Sequence, residues 1–424
     1  MALIALAGWP ARGHLGREER GRKGNGPQSR REDETNMAKT RIYFDYNATA
    51  PLRPEAQRAF SDALRVTGNA SSVHAEGRAA RALIEKARGQ VAGLVGAGEA
   101  QVTFTSGGTE ANNLALGPGL RRSGEAGGLK RLFVSAIEHP SVLSGHRFAA
   151  DRVETVPVLA SGRIDLDWLK ARLAALPEDE TFLVSVMLAN NETGIIQPLA
   201  EIVEMVHAFG GFVHSDAVQV AGKMAIDFAG LGVDLMSLSA HKVGGPQGAG
   251  ALVVADGRVL GEAVVRGGGQ EGGRRGGTEN LPGIAGFGAA AEAAAEGLAD
   301  MARVGGLRDE LEIGICGTAP GTEVVGRDVE RLANTLCFSP PGCSAETLVI
   351  AFDLAGVAVS SGAACSSGKV APSHVLKAMG VAADRASGAV RVSLGWRTEA
   401  AEVGRFLDVW SDIWGSAGVR ASAA

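Results

Sequence analysis

The chain reads as an α/β protein: a mainly parallel sheet covered by helices on both faces, followed by a smaller α+β region. Two observations predict this. From about residue 55, short apolar runs of strand length alternate with stretches of helical periodicity, the pattern of a doubly covered parallel sheet. A polar residue also follows nearly every run: Thr109, His139, Asn191, Asp216 with Gln219, and Ser239 with His241 and Lys242. In such sheets ligands sit beyond the carboxyl ends of the strands, so a full set there argues for one shared site.

The elements follow in order. "PEAQRAFSDAL" and "GRAARALIEKARGQVAGLVG" carry helical periodicity, the second closing on glycine. "QVTFTS" is a strand that runs into "GGTEANNLAL", a turn opening a helix. "RLFVSAIEH" is a strand, and "HPSVLSGHRFA" turns into a helix. "TFLVSVMLAN" is a strand, and "LAEIVEMVHAFG" a helix ending at Gly210. "GFVHSDAVQ", "LMSLSAH" and "GALVV" are further strands. Beyond residue 297 an alanine-rich helix, "AAAEAAAEGLADMARVGGLRDELE", leads to short strands in "NTLCFS", "VAVSSG" and "AVRVSLG" and to the helix "SAETLVIAFDLAG".

The 424 residues suffice for two domains, and 45% apolar content supplies a large core. The 60 glycines show no period, which excludes a collagen-like chain. A net charge of −5 gives no general reason to bind nucleic acid, and no apolar run is long enough to span a membrane. Cys316, Cys337, Cys343 and Cys365 form no CxxC pair and no metal-binding spacing, so reduced thiols in a cytoplasmic protein are expected. Residues 1–36 start with a short apolar run and continue basic, then mixed, with few aromatics. They read as a disordered extension, or less readily as a targeting peptide.

Lys242 ends the stretch "SLSAHK" at the mouth of the sheet. A lysine held there loses hydration and becomes a usable nucleophile or base; for an isolated lysine, though, snorkelling to water is the better reading, and the neighbours decide. Asp216 ends another apolar run, where a carboxylate needs a cation. Two readings fit: a buried salt bridge, or a carboxylate facing the protonated ring nitrogen of pyridoxal phosphate carried by Lys242. "TSGGTE" offers backbone N–H groups, the Thr109 hydroxyl and a helix start to a phosphate, with Gly108 allowing close approach; a plain helix start is the alternative. Cys365 lies in "SSGAACSSGKVAP", too small and polar for a core strand, which marks a loop.

Taken together, "YFDYNATAPLRP", "TFTSGGTEANNLAL", "EHPSVL", "NNETGIIQP", "HSDAVQVAGK", "MSLSAHKVGGPQGAGAL", "GGGQEGGRRGGTEN", "SSGAACSSG" and "VRVSLG" resemble, in order, the motifs of cysteine desulfurases of the NifS/IscS type. These are class V aminotransferases and fold type I pyridoxal-phosphate enzymes. The resemblance implies Lys242 as the cofactor-linking lysine, Asp216 at the pyridine nitrogen, Gln219 at the ring hydroxyl and His139 stacked on the ring. It implies Gly108, Thr109, Ser239 and His241 around the phosphate, and Thr278 reaching the phosphate of a second subunit in a homodimer. Asn191 and Arg391 are implied at the substrate carboxylate, Asn191 also beside the cofactor, and no metal is expected. Cys365 would take sulfur from L-cysteine as a persulfide and pass it to an acceptor such as an iron–sulfur scaffold. The expected domains are 52–296, binding the cofactor, and 37–51 with 297–424, carrying the cysteine loop. A selenocysteine lyase, another class V enzyme or a silent sulfur-transfer scaffold are the alternatives. Ala70, Ser215, Ala363, Ala364 and Trp396 depart from the commoner family pattern without removing a catalytic group.

Overall fold

The computed structural model describes residues 41–122, 127–255, 259–362 and 373–416. Among these, seven strands form the main sheet: β1 Val102–Thr105, β2 Arg131–Ser135, β3 Val153–Val156, β4 Phe182–Ser185, β5 Phe212–Asp216, β6 Leu235–Ser239 and β7 Gly250–Val254. Their spatial order is β1-β7-β6-β5-β4-β2-β3. The pairs β2–β3, β2–β4, β4–β5 and β5–β6 are parallel, and β7 runs antiparallel to both neighbours. The connection from β6 to β7, residues 240–249, is too short to hold a crossover helix, so the pair has to be antiparallel.

Alternate residues of these strands feed two separate cores. Phe133, Val184, Val213, Met236 and Val253 pack into one, while Leu132, Leu183, Phe212, Leu235 and Leu252 pack into the other. Burial on both faces explains why the strands read as continuous apolar runs without a polar side. Helix Ala75–Val95 covers the first face together with Leu281–Glu296, with Phe104 meeting Phe287 edge-on at 6.4 Å between ring centres. The earlier helix ends at Gly96, whose φ of +67° is the left-handed cap glycine adopts without strain.

Three expectations need adjusting. The alanine-rich stretch is two helices, Leu281–Glu296 and Met301–Thr318, joined by a tight turn at 297–300; Gly297 stands at the break, where helix propensity is weakest. The "HPSVL" helix is a single turn, Pro140–Leu143. The strand expected over "TFLVSVMLAN" pairs regularly only as far as Ser185, and its remainder runs on toward Asn190 and Asn191.

A second sheet contains β8 Glu323–Val324, β9 Thr335–Ser339, β10 Ser360–Ser361 and β11 Val390–Ser393 in the order β8-β9-β11-β10. Its core stacks Phe352 on Phe406 at 4.9 Å and on Trp410 at 6.0 Å. Ile42 and Phe44 are buried in this same core, because the strand Ile42–Tyr43 pairs in parallel with Val357–Ala358. The start of the described chain is thereby tied to a later strand, and Asn47 is delivered to the carboxyl ends of β5 and β6, where it meets Gln219 and Lys242.

Candidate active site

The loops that leave β1, β2, β4, β5 and β6 line one cavity of about 350 Å³. From the β1 loop come Gly108 and Thr109, at the start of helix Gly108–Ala115. A Cβ on Gly108 would lie 2.8 Å from the Val218 side chain, so glycine is what keeps this wall open. Ser239 and His241 face the same cavity. These two side chains, the Thr109 hydroxyl and the N–H groups of the helix's first turn make a donor set that suits a phosphate.

Asp216 lines the same cavity and is 6% exposed. Its carboxylate accepts from the Val218 N–H at 3.0 Å and from Asn112 Nδ2 at 2.8 Å. Both donors are neutral, so these hydrogen bonds orient the carboxylate without pairing it with a cation. A protonated ring nitrogen fits that position. Asn112 also donates to Ser141 Oγ at 2.8 Å, and Ser141 Oγ lies 2.7 Å from His139 Nδ1. The Ser141 N–H donates to the same Nδ1 at 3.1 Å, which puts the His139 proton on Nε2. Burial holds the His139 imidazole below its ordinary range; Asp216 pulls it back up, and Lys242 and His374 push it further down. His241 is pushed down to about 4 by burial, with Lys242 and Lys223 acting in the same direction. Both rings are therefore neutral at pH 7.

Lys242 emerges from the turn Ala240–Lys242 just beyond β6. Its Nζ donates to the main-chain oxygens of Asn47 and Ala48, the latter at 2.8 Å. Gln219 Nε2 donates to the same Asn47 oxygen at 3.0 Å. Arg391 lines the same cavity and is 3% exposed. It donates to the Asn191 carbonyl at 2.9 Å and to Asp45 Oδ1 at 2.7 Å, and its Nε has no partner. Arg391 and Asp216 thus bring a buried guanidinium and a buried carboxyl group to the wall of one cavity.

The residue family that matches is Aminotransferase class-V, over residues 42–406. The chain belongs to that family. It is 43% identical to a cysteine desulfurase of Cereibacter sphaeroides over 379 residues, spanning 88% of this chain and 95% of the relative. It is 39% identical to an IscS-like cysteine desulfurase of Mycobacterium tuberculosis, spanning 87% and 94%. A NifS-like protein from Rickettsia africae superposes with a TM-score of 0.78 at 33% identity, covering 89% of this chain and all of that one. SspA in complex with cysteine superposes with a TM-score of 0.68 at 30% identity, covering 83% and 98%. The class V aminotransferases depend on pyridoxal phosphate, and the fold is the fold type I architecture expected from the sequence.

Gly108, Thr109, His139, Asn191, Asp216, Gln219, Ser239, His241, Lys242 and Arg391 all line this one cavity. Thr278 does not. It lies in a separate cleft with Phe104, Ser106 and Arg275. Cys365 falls outside the described residues. Cys337 is fully buried in β9, and burial pushes its thiol up to about 12; burial raises Cys343 as well. Cys316 sits within helix Met301–Thr318, with Arg327 donating to its sulfur at 3.1 Å.

Sequence reasoning did not single out Asn47, Asn112, Ser141, Glu138 or Glu192. Glu138 is wholly buried, accepts from the Met187 N–H at 2.6 Å and leaves Oε2 without a partner; burial raises its pKa well above the carboxylate range. Glu192 is raised to about 7 by burial, against the pull of Ser373 and Arg391.

Trp396 now has a place. Arg53 lies over its ring at 4.7 Å and Arg397 at 5.2 Å. Arg53 in turn donates to the carbonyl of Val243, the residue after Lys242, at 2.9 Å. The indole therefore backs the arginine that pins the lysine turn. Trp396→Ala is expected to lower unfolding free energy by about 2 kcal/mol through the lost ring packing and cation–π contact. Urea unfolding reads this as a lower midpoint at unchanged slope; an unmoved midpoint would show that the stack holds nothing.

Proposed function

We propose that the chain is a pyridoxal-phosphate-dependent cysteine desulfurase that converts L-cysteine and the Cys365 thiol into L-alanine and a Cys365 persulfide. The observation that carries this is the shared cavity, where Asp216, Lys242 and the phosphate-suited donors converge at strand ends. When bound, pyridoxal phosphate supplies the electron sink that makes the α-carbon of an amino acid acidic. Lys242 Nζ anchors the cofactor aldehyde and carries the Cα proton. Asp216 holds positive charge on the ring nitrogen, and Asn112 keeps its carboxylate aimed. Gln219 donates to the ring hydroxyl. Gly108, Thr109, Ser239 and His241 hold the phosphate. Arg391, with Asn191, binds the substrate carboxylate by its planar fork; Asp45 keeps that fork oriented until the substrate arrives. The imidazole of His139 would lie against the ring when it is bound, with its Nε2 proton available for transfer. As the Cys365 sulfur bonds to the substrate sulfur, the carbon–sulfur bond breaks with its electron pair staying on the substrate; Cβ takes up the proton given by the Cys365 thiol, and Lys242 returns the Cα proton.

The same reading makes the chain a cytoplasmic homodimer in which Thr278 reaches the partner's phosphate. It divides the chain into a large domain, 52–296, and a small one, 37–51 with 297–424. It also sends the sulfur to an acceptor protein such as an iron–sulfur scaffold. Among the described residues no helix is long and apolar enough to cross a membrane.

Offering L-cysteine and L-selenocysteine separately to the loaded chain tests the substrate. Alanine from L-cysteine at a rate at least comparable to that from its selenium analogue is expected. Turnover of L-selenocysteine alone would make the chain a selenocysteine lyase.

A further inference from the structure

We infer that Lys223 is a further positioning residue of the site, fixing through Gln219 and Asn47 which groups point at the cofactor. This rests on the reading just given. Lys223 follows Gln219 by four residues, in the turns after β5, and is buried. Its Nζ donates to Gln219 Oε1 at 2.8 Å and to Asn47 Oδ1 at 2.9 Å. Either protonation state of the amine supplies the two N–H groups needed. With Oε1 taken from behind, the Gln219 amide has only Nε2 to present to the cavity it lines. The side chain is thereby set as a donor, matched to a ring oxygen that accepts.

Asn47 carries the effect further. Its Oδ1 also accepts from Asn334 Nδ2 at 3.0 Å, and its Nδ2 donates to Thr335 Oγ1 at 2.9 Å and to the Asn191 carbonyl at 3.3 Å. Its main-chain oxygen is the acceptor shared by Lys242 and Gln219. One buried amine therefore supports the side chains around the lysine, the ring hydroxyl donor and, through Asn191, the substrate arginine. A side chain that only filled space here would be better served by an apolar residue, because a buried amine is costly to desolvate.

The test titrates pyridoxal phosphate into cofactor-free protein and follows both affinity and the visible absorption band. Lys223→Met keeps the length and removes the donor. It is expected to weaken affinity by about tenfold and to shift the band, with a thermal midpoint no lower than wild type. Gln219→Ala should weaken affinity similarly, and the double variant should lose less than the product of the two single losses, since Gln219 is one of the two routes through which Lys223 acts. Unchanged affinity and band in Lys223→Met, or losses that multiply in the double variant, would overturn the inference. If Lys223→Met does not fold, Gln219→Glu takes its place. It gives Lys223 an anionic partner and leaves no donor for the ring, so tenfold weaker uptake with an undiminished midpoint is expected and wild-type uptake contradicts. Failure of the wild-type chain to take up the cofactor would instead sink the underlying proposal.

Discussion

Lys242→Ala is expected to lower turnover of L-cysteine by about 10⁴-fold. Two roles converge on this amine: anchoring the cofactor aldehyde and moving the Cα proton. Removing one of them in a pre-organised site already costs orders of magnitude. The turn that carries Lys242 is fixed independently of its side chain. Arg53 binds the Val243 carbonyl, and the Gly245 N–H donates to the Ala240 carbonyl at 2.8 Å. The variant should therefore fold as the wild type does. Borohydride reduction followed by peptide mapping checks the anchoring directly. The wild-type chain should carry cofactor on the peptide containing Lys242, and the variant should carry none. Cofactor fixed to Lys223 in the wild type would show that the two lysines have been assigned the wrong way round.

Cys365→Ala should separate cofactor chemistry from sulfur chemistry. Cofactor uptake is expected to match the wild type, because Cys365 is assigned no part in holding the cofactor. Alanine formation should fall by about 10³-fold. No other cysteine can substitute. Cys316, Cys337 and Cys343 are absent from the cavity wall. Burial also keeps the Cys337 and Cys343 thiols above their ordinary range, so both are poor sources of thiolate at neutral pH. Full alanine production by Cys365→Ala would remove the persulfide from the account.

Much of the site is visible in the sequence because each residue stands at the end of an apolar run that can only be a strand. Lys242 follows β6, Asp216 ends β5, and Thr109 follows β1. Knowing that the sheet is parallel is enough to bring them to one edge. What could not be read was everything created by pairing across long sequence distances. Asn112 reaches Asp216 from 104 residues away and Asn47 reaches Thr335 from 288. No local pattern distinguishes these asparagines from others. Lys223 stood in view within "HSDAVQVAGK", yet its bond to Gln219 depends on the turn that follows β5. The reversed direction of β7 was hidden for a similar reason: its apolar run is the same for either orientation, and only the short link from β6 decides. Trp396 looked unexplained because its partner Arg53 lies far off in the chain, at the start of helix Pro54–Ala63.

The central claim is that carbon–sulfur cleavage and sulfur capture by this chain are one event. A single turnover of sulfur-labelled L-cysteine on the loaded wild-type protein, without acceptor, tests it most directly. Alanine is quantified and the Cys365 peptide weighed from the same sample. Alanine and added sulfur should appear in equal amounts, with the sulfur on Cys365. Pyruvate and ammonia in place of alanine, or alanine with no sulfur on Cys365, would contradict the account.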